Sequence, residues 1–139
     1  MCGKDKMMTR NARIMVVDDE KNVLQSVKKV LGSKLPEYQV TLKNSPLEAL
    51  EELSKNKYDL VITDLMMPGI DGLELIKKIR QIDTSLKIIM MTGYATMKTA
   101  LLAMREGASK YISKPFTRDE LVTTVNMVLS ENDSGSNKK

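Results

Sequence analysis

Histidine is absent from this 139-residue chain, and cysteine occurs once. No apolar run approaches the roughly 18–20 residues that a membrane-spanning helix needs. Without histidine the chain can form no phosphohistidine of its own. The lone Cys2 has no partner for a disulfide or a cysteine metal site. It lies in a polar, basic segment, Met1 to Arg10, that lacks the apolar core of a signal peptide. A cytoplasmic protein without membrane contact is the expected reading. The formal net charge of +4 is concentrated at the N-terminus, where Lys4, Lys6, Arg10 and Arg13 outweigh Asp5. Basicity confined to such a segment says little about partners, so no direct nucleic-acid contact is expected.

The length suits one domain, and the pattern alternates between short β-branched runs and longer segments with helical spacing. Ile14 to Val17 leads into Asp18-Asp19, and Val23, Leu24, Val27, Val30 and Leu31 then share a helical face. Asp19 or Glu20 is placed to cap that helix. Tyr38 to Lys43 reads as a polar edge strand. Ser45-Pro46-Leu47-Glu48 has the form of a capping box, with Leu47, Leu50 and Leu53 as a sparse inner stripe. Leu60 to Thr63 runs into Asp64, and Asp71 starts a helix buried through Leu73, Ile76 and Ile79. Ile88 to Met91 runs into Thr92, followed by a helix around Lys98 to Glu106 and a left-handed cap at Gly107. Ser109 to Ser113 runs into Lys114-Pro115. A second capping box, Thr117 to Glu120, opens a helix that buries Leu121, Val122, Val125, Val128 and Leu129.

These five β-α units predict an α/β fold: a single doubly wound (βα)5 domain, with helices on both faces of a five-stranded parallel sheet. Residues 1–11 read as a flexible basic segment, 12–130 as the folded domain, and 131–139 as a flexible polar tail or linker. Asp18, Asp19, Asp64, Thr92 and Lys114 all fall at the carboxyl ends of strands. Open α/β sheets place ligands along that edge. Three carboxylates, a hydroxyl and an ammonium in one crevice suit a divalent cation such as Mg2+ and a phosphoryl group. Asp64, at the end of the middle strand, is the expected nucleophile, forming an acyl phosphate. Alone, each residue has an ordinary role: helix cap, turn carboxylate, strand-end hydroxyl, solvated loop lysine. Their joint placement favours the crevice.

Four segments occur in order: Val16-Val17-Asp18-Asp19-Glu20, Asp64-Leu65-Met66-Met67-Pro68-Gly69-Ile70-Asp71-Gly72, Met91-Thr92-Gly93-Tyr94 and Lys114-Pro115-Phe116. On these segments the chain resembles the receiver domains of two-component response regulators from Ala12 to Leu129. The resemblance implies strand order 2-1-3-4-5, with Asp64 as phosphoacceptor. It further implies Asp19 as a direct Mg2+ ligand, Asp18 acting through water, and the Met66 carbonyl as a further ligand. Thr92 and Lys114 would hold the phosphoryl oxygens, with Lys114-Pro115 a cis peptide. Tyr111 would be the aromatic that swings inward as Thr92 is drawn to the phosphoryl group. Bulky Met66 and Tyr94 would flank the path of a hydrolytic water.

The implied partners are a histidine kinase or histidine phosphotransfer protein, and an output domain or partner protein engaged through residues 96–130. The resemblance leaves room for a phosphorylation-dependent homodimer. Such a chain is a signalling module that catalyses only its own phosphorylation and dephosphorylation. The Gly93-Tyr94-Ala95 and Gly107-Ala108 segments are similar to those of receivers attached to ATPase-type transcription activators. A phosphohydrolase of the haloacid dehalogenase kind fits less well, because its second acid stands two residues after the nucleophile on the first strand. A scaffold that has abandoned phosphorylation is disfavoured by the complete set of five site residues. Whether the chain stands alone or belongs to a longer regulator stays open.

Overall fold

The computed structural model describes residues 12–65, 67, 70, 72–93 and 97–138. Cys2, Met66, Asp71 and Tyr94 lie outside the described residues, as does Thr96 at the start of the 96–130 surface. The elements are β1 (Arg13–Val17), α1 (Lys21–Lys34), β2 (Gln39–Lys43), α2 (Pro46–Lys55) and β3 (Leu60–Asp64). They continue with α3 (Gly72–Ile82), β4 (Lys87–Thr92), α4 (Met97–Glu106), β5 (Lys110–Ser113) and α5 (Arg118–Lys138). All strand pairs are parallel, and the sheet order is β2-β1-β3-β4-β5. Among the described residues no helix is long and apolar enough to cross a membrane.

Strand alternation divides the core into two layers. Met15, Val17, Val61, Ile88 and Met90 meet α2, α3 and α4 through Ala49, Leu53, Leu75, Ile76, Ile79 and Ala103. Ile14, Val16, Leu60, Ile62, Ile89, Met91 and Ile112 meet α1 and α5 through Leu24, Val27, Leu31, Leu121, Val125 and Val128. Strands β1, β3 and β4 are apolar on both faces because both faces are covered. Each Leu, Ile or Val fully buried in this way contributes roughly 1.5–3 kcal/mol. The chain goes from β1 outward to β2, then returns to place β3 on the other side of β1. That reversal opens a crevice at the carboxyl ends of β1 and β3.

Local chemistry sets the helix ends, with some departures from expectation. Thr117 and Glu120 form a reciprocal capping box: Thr117 N donates to Glu120 Oε1 at 2.9 Å, and Glu120 N to Thr117 Oγ1 at 3.0 Å. At α2 only half of that motif forms, with Glu48 N donating to Ser45 Oγ at 3.4 Å. Gly107 has a φ of +119°, and Ala108 N and Gly107 N donate to Ala103 O and Met104 O. This is the double closure of a helix by a left-handed residue. Glu20 occupies the N-cap of α1 without a side-chain bond. Asp18 takes over that task by accepting from Glu20 N at 2.9 Å.

The expected stripe on α2 is rotated. Pro46, Ala49 and Leu53 face inward, whereas Leu47 is 69% exposed. Ala49 lets the helix approach the sheet closely, and Leu47 then lies about 160° around the axis from it. The α5 backbone runs from Arg118 to Lys138. No proline interrupts Glu131 to Lys138, so the backbone ladder can continue without an apolar face.

Candidate phosphoryl and cation site

Parallel register carries the acidic residues to one edge. Val17 lies opposite Thr63, so Asp18 follows on β1 beside Asp64 at the end of β3. Thr92 ends β4 opposite Ser113 of β5, and Lys114 N donates to Thr92 O at 2.8 Å, extending that ladder by one residue. Lys114-Pro115 is a cis peptide. The site residues therefore arrive from four separate strands.

Asp18 is fully buried, Asp64 and Thr92 are nearly so, and Asp19 is exposed. Lys114 Nζ lies 3.1 Å from Asp18 Oδ2 and 3.5 Å from Asp64 Oδ2. Both Asp18 oxygens are thus engaged, Oδ1 by the backbone of Glu20 and Oδ2 by the lysine. Burial of the Lys114 ammonium works against its charge. The hydrogen bond and attraction from Asp18, joined by those of Asp64, outweigh it and hold the Lys114 pKa above the ordinary lysine value.

One oxygen from each of Asp18, Asp19 and Asp64 falls within a group whose members all lie within 4.8 Å of one another. Hard oxygen donors at that spacing, with one residue open to solvent, fit a divalent cation that keeps part of its water shell. Asp18, Asp19 and Asp64 could therefore hold Mg2+. Lys114 brings one positive charge to this group of three carboxylates, which suits a site receptive to a cation.

The expected residues Asp18, Asp19, Asp64, Thr92 and Lys114 thus share one edge. Tyr111 does not join them: it sits on β5 with its side chain outward, 37% exposed. It borders a groove of about 560 Å3 between β5 and α5, lined also by Ser113, Pro115, Asp119, Glu120 and Thr123. Leu101 and Met104 on α4 and Met127 on α5 are exposed as well. Two residues with no role assigned from sequence stand out. Gly72 touches the residue after Asp64, a contact that a glycine at the mouth of a helix could have signalled. Arg80 donates from Nε and Nη2 to Gly107 O, at 3.2 and 2.7 Å. No local pattern marks that second contact.

Comparison with known proteins gives a consistent result. The response regulator receiver domain family matches residues 14–126. The chain is 35% identical over 120 residues to the transcriptional regulatory protein ZraR of Klebsiella oxytoca, covering 84% of this chain and 26% of that protein. It is 32% identical over 117 residues to the response regulator MprA of Mycobacterium leprae, covering 84% of this chain and 50% of that one. A CheY-like receiver domain structure from Methanospirillum hungatei superposes with a TM-score of 0.84 at 29% identity, covering 90% of this chain and 98% of that one. The chain therefore spans between about a quarter and a half of the length of these curated relatives.

Proposed function

The chain belongs to the response regulator receiver domain family, and from that membership and the site geometry we propose that Asp64 accepts a phosphoryl group from a partner's phosphohistidine. The observation that carries this reading is the ammonium of Lys114 held between Asp18 and Asp64 within a three-carboxylate group. Few arrangements without a phosphoryl or cation role would bring so many carboxylates together at a strand edge.

A carboxylate oxygen of Asp64 forms the new bond to phosphorus as the P–N bond to the donor imidazole breaks. The imidazole nitrogen keeps that electron pair and takes up a proton. The product is an acyl phosphate on Asp64. Asp18, Asp19 and Asp64, with the Met66 carbonyl that the family resemblance adds, would hold Mg2+, which would supply charge neutralisation for the transferring group. Lys114, already within 3.5 Å of Asp64, faces the added negative charge. Thr92, one strand over, donates its hydroxyl to a phosphoryl oxygen. Preorganised positive groups of this kind act where charge develops.

The same step works as a switch. Drawing Thr92 toward the phosphoryl group frees space behind it, and Tyr111 turns inward from its exposed position. The surface from 96 to 130 then changes shape. The exposed Leu101, Met104, Tyr111 and Met127, all within 96–130, support a role for that surface in partner binding. The donor is a histidine kinase or histidine phosphotransfer protein, acting in the cytoplasm. Relatives named as transcriptional regulators point to control of transcription as the output, through an output domain or partner or a phosphorylation-dependent homodimer.

Intact mass after treatment with Mg2+ and acetyl phosphate tests the reading. One added phosphoryl group on wild type, absent from Asp64→Ala, is the expected result. A modification that survives the substitution would refute the assignment of Asp64.

A further inference from the structure

A Cβ built on Gly72 would lie 2.6 Å from Leu65 Cα and 2.7 Å from Leu65 O, distances that real Cβ atoms essentially never show. Two of the three close atoms are backbone, so no side-chain movement relieves the contact. Gly32 and Gly93, by contrast, face open space. Gly72 N also donates to Leu65 O at 2.8 Å. The first residue of α3 and the first residue after Asp64 are thus in van der Waals and hydrogen-bond contact.

Leu65 is held from the other side too. Its N–H donates to Met91 O on β4 at 3.0 Å, and its side chain is buried in the core layer with Met67 and Leu75. With Leu65 fixed by β4 and α3 together, the covalently adjacent Asp64 has little freedom to shift along its strand. Resting on the phosphoacceptor role of Asp64, we propose that Gly72 is a positioning residue for the site: its missing Cβ lets α3 seat against Leu65, and this contact holds Asp64 in register with Asp18 and Lys114.

Ordinary contact begins at 3.4 Å, so a Cβ at 2.6 Å requires the two backbones to part by about 0.8 Å. Misplacement of about 1 Å at a reacting group can slow a reaction roughly 100-fold. Gly72→Ala is therefore expected to weaken Mg2+ binding at least tenfold, measured calorimetrically on folded protein. Modification by acetyl phosphate should slow by about two orders of magnitude. Leu53→Ala, a core change on α2 remote from the site, serves as the control for general destabilisation and should keep wild-type Mg2+ affinity. Adding Leu65→Ala to Gly72→Ala removes Cδ1 but leaves Cα and O in place, so it should not restore binding.

The inference is overturned if Gly72→Ala binds Mg2+ like wild type, if Leu53→Ala loses as much affinity, or if trimming Leu65 restores it. A second measurement needs no variant. If the contact and the metal site are linked, each stabilises the other. Saturating Mg2+ should then slow exchange of the Gly72 and Leu65 amide hydrogens several-fold more than that of the α5 amides. Equal slowing everywhere would also overturn it. Wild type that neither binds Mg2+ nor takes a phosphoryl group would defeat the phosphoacceptor reading itself, whereas a competent wild type with a competent Gly72→Ala defeats only this inference.

Discussion

Replacing Lys114 by Met keeps most of the side chain's stem and removes its charge, leaving Asp18 and Asp64 without their resident cation. At an effective dielectric of about 20, an ion pair at 3.1 Å is worth about 5 kcal/mol in attraction, and one at 3.5 Å slightly less. Desolvation cancels much of both. Removing one partner of a buried pair nonetheless costs about 3–5 kcal/mol, because the other charge is left uncompensated. The Lys114 side chain is 21% exposed while Asp18 is fully buried, so screening trims the figure to about 2–3 kcal/mol. For a domain of this size that corresponds to a fall in Tm of roughly 10 °C.

Urea unfolding followed by far-UV circular dichroism, first with EDTA and then with saturating Mg2+, makes the measurement. Mg2+ bound to the native state supplies a counter-charge of its own. It should therefore stabilise Lys114→Met more than wild type, narrowing the gap by half or more. Asp18→Asn placed on top of Lys114→Met should recover part of the loss, because the orphaned buried charge has gone. A coupling of at least about 1 kcal/mol is expected from such neighbours. A gap below about 0.5 kcal/mol in EDTA, or one that Mg2+ leaves unchanged, would refute the placement of Lys114 as the resident counter-charge of a cation site.

Arg80→Met should destabilise by about 2 kcal/mol, since one half-buried guanidinium donates to Gly107 O, Asp83 O and Thr84 O, whereas Arg105→Met on an exposed face should stay within about 0.5 kcal/mol. Equal urea midpoints for the two variants would rule out this clamp. For Asp83, burial raises the pKa but is outweighed by hydrogen bonds from the Ser85 hydroxyl and amide, by Lys57 and by the Leu86 amide, so the folded value lies below the ordinary one. Its contribution is therefore present above the unfolded value near ~3.9 and lost as pH falls through the folded value. Asp83→Asn should flatten the acid limb of a stability–pH curve, and an unchanged limb would contradict that. The family resemblance implies that Met66 and Tyr94 flank the path of a hydrolytic water, and on that expectation the acyl phosphate should last minutes or longer. Met66→Asn with Tyr94→Glu should shorten its decay by mass spectrometry, and an unchanged decay would count against shielding.

Much of the fold could be read from local pattern. The apolar runs ending at Val17, Asp64 and Met91 emerge as the three central strands, and the polar run around Thr41 as an edge. The capping box at Thr117 and the left-handed closure at Gly107 formed as their residue types predict, because both depend on bonds within a few residues. The α1 cap and the α2 stripe did not follow the local pattern. Asp18 serves two elements at once, ordering the start of α1 with one oxygen and pairing with Lys114 through the other. Leu47 is apolar and correctly spaced, but the close approach allowed by Ala49 decided which face turned inward.

By itself the amino-acid order determined the alternation of strand and helix, the strand-end positions of Asp18, Asp64, Thr92 and Lys114, and the lack of any histidine to donate a phosphoryl group. These are properties of side-chain period and residue type, which neighbours in sequence carry. The tertiary structure decided the rest. It brought Lys114 to 3.1 Å from Asp18 across 96 residues of chain, seated Gly72 on Leu65, and turned Tyr111 outward. Those outcomes depend on how closely separate elements approach, a quantity set by the two packed layers against the sheet and not by any one segment.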